Sequence, residues 1–199
     1  KFIDATVETG LDVNNRRHSL ATAWEDADND GDQDLYVAND YGQNCFYVNE
    51  GGVFSEVAAD RSVLDFGSGM SVTWGDADRD GDMDLYVGND TTANYLYENS
   101  GGHWKERGLA SGVGVSPLGA AEGSMGTDLG DFDLDGLPDL LVANFEHETF
   151  GLYQNLGELQ FAHVSHDMGI DQLGQANVGW GVIFGDWNLD GDEDLFISN

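Results

Sequence analysis

Four nine-residue segments gather half of the acidic residues, the oxygen donors that could do chemistry: DADNDGDQD from Asp26, DADRDGDMD from Asp76, DFDLDGLPD from Asp131 and DWNLDGDED from Asp186. Positions 1, 3, 5 and 9 of each carry a side-chain oxygen. Position 6 is glycine, where a chain wrapping an ion must turn sharply. Hard oxygen donors with no His or Cys among them suit Ca²⁺ rather than a transition metal. Mg²⁺, which demands octahedral geometry and holds its waters, suits such a cage less well. The side-chain ligands expected are Asp26, Asp28, Asp30 and Asp34; Asp76, Asp78, Asp80 and Asp84; Asp131, Asp133, Asp135 and Asp139; and Asp186, Asn188, Asp190 and Asp194. Position 7 of such a loop contributes a main-chain carbonyl and tolerates any side chain, so Asp32, Asp82, Leu137 and Asp192 enter through the backbone. The carboxylates of Asp32, Asp82 and Asp192 are then extra charge, and Asn188, one charge short, weakens the fourth loop. About four structural Ca²⁺ ions are expected. One acidic turn of this kind would say little, since Asp and Gly favour turns anyway; four in register say much more.

The loops start 50, 55 and 55 residues apart, a period of the size that marks propeller blades. Around each loop the same order of short β-rich runs recurs between Asn and Gly turns. The second unit supplies MSVTW, LYVGN, YLYEN and HWKER. The first supplies LATAW, LYVAN, CFYVN and VFSEV, and the third MGTDL, LLVAN, LYQN and QFAHV. Four strands and no helix per unit predict an all-β fold, a β-propeller of four-stranded antiparallel blades. The chain reads as one propeller region over residues 1–199, with repeat units at about 2–53, 54–103, 104–160 and 161–199. The last unit holds only VGWGVIF and LFISN, and KFIDAT (Lys1–Thr6) reads as a lone fourth strand. Three blades and two partial ones would leave unpaired strand edges, so the remaining blades of a six- to eight-bladed propeller, or a partner chain, are expected to close the ring.

The formal net charge is −31, from 38 acidic and 7 basic residues. Four divalent ions would offset part of it, and without them each loop crowds like charges, so folding should depend on the metal. Seven scattered cations cannot build the basic patch that nucleic acid or an anionic membrane needs; a cationic or neutral partner is left open. A hydrophobic content of 40% over 199 residues suffices for a core. No apolar run reaches the ~18 residues of a membrane helix, so no membrane insertion is expected. Cys45, the one cysteine, sits in the apolar run CFYV and reads as a small buried hydrophobe.

These units resemble FG-GAP/VCBS repeats, as in integrin α-subunit propellers. The run of acidic loop, L-Y-V-x-N, L-Y-x-N-x-G and F-x-x-V looks most like secreted proteins of the ASPIC/UnbV and cartilage acidic protein type, across essentially the whole chain. The resemblance implies fold and calcium ligands, and a family spanning adhesion proteins, lectin-like modules and enzyme appendages; it names no partner. The departures are Asn188, the Leu137–Pro138 pair, and Glu25 where the other units have Gly75, Gly130 and Gly185.

No catalytic motif is present: His18, His103, His147, His163 and His166 fall in no HExxH, and no GxSxG elbow occurs. The expectation is a protein that is not an enzyme, placed where calcium is millimolar: extracellular, at the cell surface or periplasmic. Its partner would be a protein or, as a lectin-like alternative, a glycan; a third option is an accessory propeller of a larger enzyme. Trp24, Trp74, Trp180 and Trp187 flank the loops and are expected to pack between blades with their N–H groups satisfied. The Gly112–Gly123 connection and NNRRH (Asn14–His18) are the segments where a partner site is expected.

Overall fold

A computed structural model describes residues 2–199. Three four-stranded antiparallel sheets and one two-stranded sheet follow one another, each strand pairing with its sequence neighbour. The first sheet holds β1 (Ser19–Glu25), β2 (Asp34–Asn39), β3 (Cys45–Glu50) and β4 (Val53–Glu56). The second holds β5 (Gly69–Gly75), β6 (Asp84–Asn89), β7 (Tyr95–Ser100) and β8 (His103–Glu106). The third holds β9 (Ser124–Gly130), β10 (Asp139–Asn144), β11 (Gly151–Asn155) and β12 (Phe161–His163), and the fourth β13 (Gly181–Gly185) and β14 (Asp194–Ser198). The first strands β1, β5, β9 and β13 pack in succession. This is the blade order of a β-propeller that does not close within the chain.

The second strand of each full blade is buried along its whole length, because both faces of its sheet are covered, by neighbouring sheets or, on the outer face of the first blade, by the N-terminal segment around Leu11. That is why LYVAN, LYVGN and LLVAN are nearly unbroken apolar runs rather than alternating ones. Between the first two blades lie Tyr36, Phe46, Val63, Leu85, Val87 and Tyr97, with Trp74 and Trp104 against them. Tyr86, Leu96, Leu140, Val142 and Tyr153 fill the next interface, and Leu141, Leu152 and Phe184 the third. Each such large side chain contributes about 1.5–3 kcal/mol by leaving water. A register shift recurs at the start of β1, β5 and β9, so the bulge belongs to the blade.

Four expectations change. Phe2–Ala5 form no strand, and Lys1 lies outside the described residues; the segment runs into turns in which Thr9 N–H bonds to Ala5 O, and Phe2 and Ile3 are exposed. A single helical turn, α1 (Gly108–Ser111), and a 3₁₀ turn at Leu173–Gln175 interrupt the connections. The unit boundaries at 53/54 and 103/104 cut through β4 and β8, because a repeat fixes a period but not its phase. Of the four loop-flanking tryptophans, Trp74 alone is packed between blades, against Tyr36, Phe46 and Trp104, and its buried Nε1 has no partner. Trp24, Trp180 and Trp187 are about half exposed.

Candidate metal centres

Each acidic loop joins the first two strands of a blade, and all four adopt one conformation. Position 4 is left-handed in every loop (Asn29 φ 59°, Arg79 61°, Leu134 60°, Leu189 63°), and so is the glycine at position 6 (φ 90° to 98°). Left-handed Arg and Leu are uncommon; their recurrence shows that the loop's bonds impose the turn. Position 1 accepts the glycine N–H through Oδ2: Asp26 from Gly31 at 2.9 Å, Asp76 from Gly81 at 3.1 Å, Asp131 from Gly136 at 2.8 Å and Asp186 from Gly191 at 2.9 Å. Position 5 accepts the N–H of position 7 at 2.8–3.0 Å in all four.

The aspartate at position 9 is buried and does two jobs in each full blade. Its Oδ2 accepts the N–H of position 2 and its Oδ1 the N–H of an asparagine on the third strand: Asp34 from Ala27 and Asn49, Asp84 from Ala77 and Asn99, Asp139 from Phe132 and Asn155, all at 2.8–3.1 Å. Those asparagines reach further. Asn99 Nδ2 donates to Ala27 O at 3.0 Å and Asn155 Nδ2 to Ala77 O at 2.7 Å, so each tethers the loop of the preceding blade. The sequence carried this signal as an Asn ending CFYVN, YLYEN and LYQN, where it reads as a turn residue.

Carboxylate oxygens converge in three places: Asp26, Asp28 and Asp30; Asp76, Asp78 and Asp84; Asp131, Asp133 and Asp139. Within each group they lie within 4.8 Å of one another. Asp186, Asp190 and Asp194 form no such group among the described residues, and Asn188 Oδ1 accepts the Asp190 N–H at 2.9 Å. Asp28, Asp76 and Asp131 each leave Oδ1 buried with no hydrogen-bond partner, a costly state for a charged acceptor. Burial pushes Asp34 up to about 6 and Asp84 and Asp139 up to about 7, against the N–H bonds that favour their charged forms. Asp28 and Asp78 also rise, through burial first and then the charges of Asp30 and Asp80. Crowded, partly desolvated carboxylates with idle lone pairs are a donor set that a hard divalent cation fits.

The carboxylates at position 7 are more than extra charge. Asp32 Oδ2 accepts the Gly51 N–H at 2.7 Å and Asp82 Oδ2 the Gly101 N–H at 2.6 Å, pinning the β3–β4 and β7–β8 turns; Asp82 Oδ1 also accepts from Asn29 Nδ2 at 2.8 Å. Leu137 lies near the matching Gly157 in the third blade. Glu193 went unnoticed because position 8 is not a ligand position. It reaches from the fourth loop to Gly130 and Asp131 at the start of the third, with Oε2 buried and unpaired and its acidity weakened by burial and then by the charge of Asp131. The histidines do not assemble: His163 bonds Ser165 at 3.1 Å, His166 meets Asp171 at 2.9 Å and His147 meets Gln175 O at 2.9 Å.

The family model described as FG-GAP-like repeat matches residues 26–87, 76–142 and 131–197, each match running from one acidic loop through the next. Among solved structures, the chain is similar to the exotype rhamnogalacturonan lyase YesX, with a TM-score of 0.50 and 14% identity over 90% of this chain. The chain spans 38% of that structure's length, and at this identity the likeness is one of fold. The curated proteins contain no significant match.

Proposed function

Because the chain belongs to the FG-GAP-like repeat family, we propose that it is a non-catalytic, calcium-stabilised propeller scaffold of an exported or cell-surface protein, serving protein binding, adhesion or assembly. The observation that carries the calcium reading is the convergence of three aspartate groups, each with a buried oxygen that no protein donor satisfies. Positions 1, 3, 5 and 9 would hold the ion with the carbonyl of position 7, and Asp186, Asn188, Asp190 and Asp194 would do so with one charge fewer. Bound Ca²⁺ would supply charge neutralisation. The chain's own bonds then do the positioning: position 9 locks the loop to the third strand, and Asn99 and Asn155 pass that order to the neighbouring blade. Loops with the affinity of extracellular modules, about 10⁻⁴–10⁻³ M, would fill only where calcium is millimolar, which is the location we infer. No helix among the described residues is long and apolar enough to cross a membrane.

Isothermal titration with Ca²⁺ and, separately, Mg²⁺ tests the reading. Three to four Ca²⁺ sites with Mg²⁺ markedly weaker are expected; no saturable uptake, or equal uptake of both ions, would remove calcium from the account. A glycan panel probed with the calcium-loaded chain decides the lectin-like alternative, and lyase activity, the property of the solved neighbour, is checked on the same polysaccharides.

A further inference from the structure

The blade ends opposite the acidic loops carry grooves that repeat in geometry but not in chemistry. Register fixes the equivalences. Cys45, Tyr95 and Gly151 pair with Val37, Val87 and Val142, and Glu56, Glu106 and His163 sit across from Tyr47, Tyr97 and Tyr153. Two residues before the start of each first strand stand Arg17, Gly67 and Glu122.

In the first groove the chain lays its own Arg17 across the end of the third strand. The Arg17 guanidinium donates to Gln43 O at 3.2 Å and Gln43 Oε1 at 2.9 Å, lies 3.5 Å from Cys45 Sγ, and its stem packs over Gly42. Its charge and that of Glu56 both reach the hydroxyl of Tyr47.

In the second groove the counterpart of Arg17 is Gly67, and a cavity of about 340 Å³ opens there. Its walls include Thr92 and Tyr95, the counterparts of the Gly42 and Cys45 that Arg17 touches, with Phe66, Asp65 and Glu106. A side chain at position 67 would run into the Asn89 amide, so this groove cannot be filled from that position. Asp65 is buried, and its oxygens accept from Tyr36, Asn44, Gly67 and Tyr97 with no cation beside it. Phe66 is 69% exposed, and Tyr95 stacks on Tyr97 with centroids 5.6 Å apart. Among the described residues, no Lys or Arg lines the cavity. The blade does not require these groups: Asn94 N–H bonds Gly114 O as Asn44 N–H bonds Asp65 O, and Gly151 holds the third-blade place of Tyr95, so the third repeat has glycine at both positions.

We propose that the cavity between the first two blades binds a guanidinium group, the arginine side chain of a basic partner, in the place that Arg17 occupies one repeat earlier. Asp65 supplies charge without free lone pairs, an arrangement that attracts a cation and offers a neutral sugar few directional bonds. Phe66 and Tyr95 supply aromatic faces suited to a planar cation, and Glu106 a carboxylate at the rim. Asp65 and Glu106 line the same cavity as Tyr95, and after burial their charges push the Tyr95 hydroxyl upward. The net charge of −31 draws a basic partner toward the surface. This deepens the scaffold reading by giving a partner its chemistry, yet it stands on the groove and not on the loops, so its failure would leave the calcium titration untouched.

The test is titration of the calcium-loaded chain with N-acetyl-arginine amide, against the citrulline analogue as the neutral match in shape. Saturable binding of the arginine compound is expected, roughly tenfold tighter than citrulline and weakened by a similar factor in Phe66→Ala and in Glu106→Gln. Phe66 is exposed, and the amide oxygen introduced by Glu106→Gln can still accept the Gly108 N–H that Glu106 accepts, so both variants should fold, as circular dichroism would verify. Equal binding of the two compounds, no binding of either, or an arginine affinity unchanged in both variants would overturn the assignment.

Discussion

The two ends of each blade obey different rules. At the acidic-loop end, position 1 bonds to the glycine and position 5 to position 7 in all four repeats, with position 4 left-handed throughout. At the opposite end, equivalent positions hold Arg17, Gly67 and Glu122, and then Glu56, Glu106 and His163. One end is uniform because its bonds build the blade. The other varies because the sheet ladder is complete without it, which leaves those positions free to specialise in binding.

The largest effect expected from breaking this contrast comes from chelation. If the loop end is held by metal, EDTA should lower the midpoint of thermal unfolding by about 10 °C or more relative to millimolar Ca²⁺. Several sites each contributing ~1.4 kcal/mol at tenfold excess over Kd would add to that. The groove variants Phe66→Ala and Glu106→Gln should stay within about 2 °C of the parent in the same scans.

Next is Asp84→Ala, which separates the structural job of position 9 from its ligand job. It strands the buried N–H groups of Ala77 and Asn99, at a cost of about 3 kcal/mol in urea unfolding, and the loss should persist in EDTA. A loss confined to calcium-containing buffer would show that Asp84 acts as a ligand alone.

Much of the fold was legible in the residues. The period of the acidic loops, the unbroken apolar second strands and the Gly turns state blade, order and strand count. What escaped was phase and contact across blades. The boundaries at 53 and 103 fell inside β4 and β8, and KFIDAT reads as a lone fourth strand although Phe2–Ala5 form none. The loops were legible as donor sets, but the tether from Asn99 to Ala27 spans two blades and no local pattern records it. Glu193 and the groove around Gly67 were hidden for a similar reason: their meaning comes from what the neighbouring blade places beside them.

A smaller effect tests the variable end by pH. Burial first, and then the charge of Glu148, raise Glu122 to about 7. A carboxyl whose folded pKa lies above its ordinary value holds more protons folded than unfolded, so its contribution to stability rises as pH falls from about 7 toward the ordinary range and fades as pH rises. Glu122→Gln retains an acceptor for Asn144 Nδ2, which Glu122 meets at 3.0 Å. It should therefore stabilise the chain at pH 8 by up to ~1 kcal/mol, allowing for partial solvent screening, and change little at pH 5. Urea midpoints of both proteins at the two pH values measure this, and a gain larger at pH 5 than at pH 8 would contradict it.

The smallest effect probes whether the uniform end tolerates change where its backbone, not its side chain, is used. Position 7 is Asp32, Asp82 and Leu137 in the three full blades, so the third repeat already shows a loop closing without a carboxylate there. Asp82→Leu removes acceptors for Gly101 N–H and Asn29 Nδ2, both at exposed sites, where water replaces them, so the loss in urea unfolding should be within about 0.5 kcal/mol. Calcium stoichiometry should not change, since a carbonyl at position 7 survives any side chain. If Asp82→Leu instead loses one calcium equivalent, the carboxylate is a ligand in the second loop, and the third loop must close its cage differently from the first two.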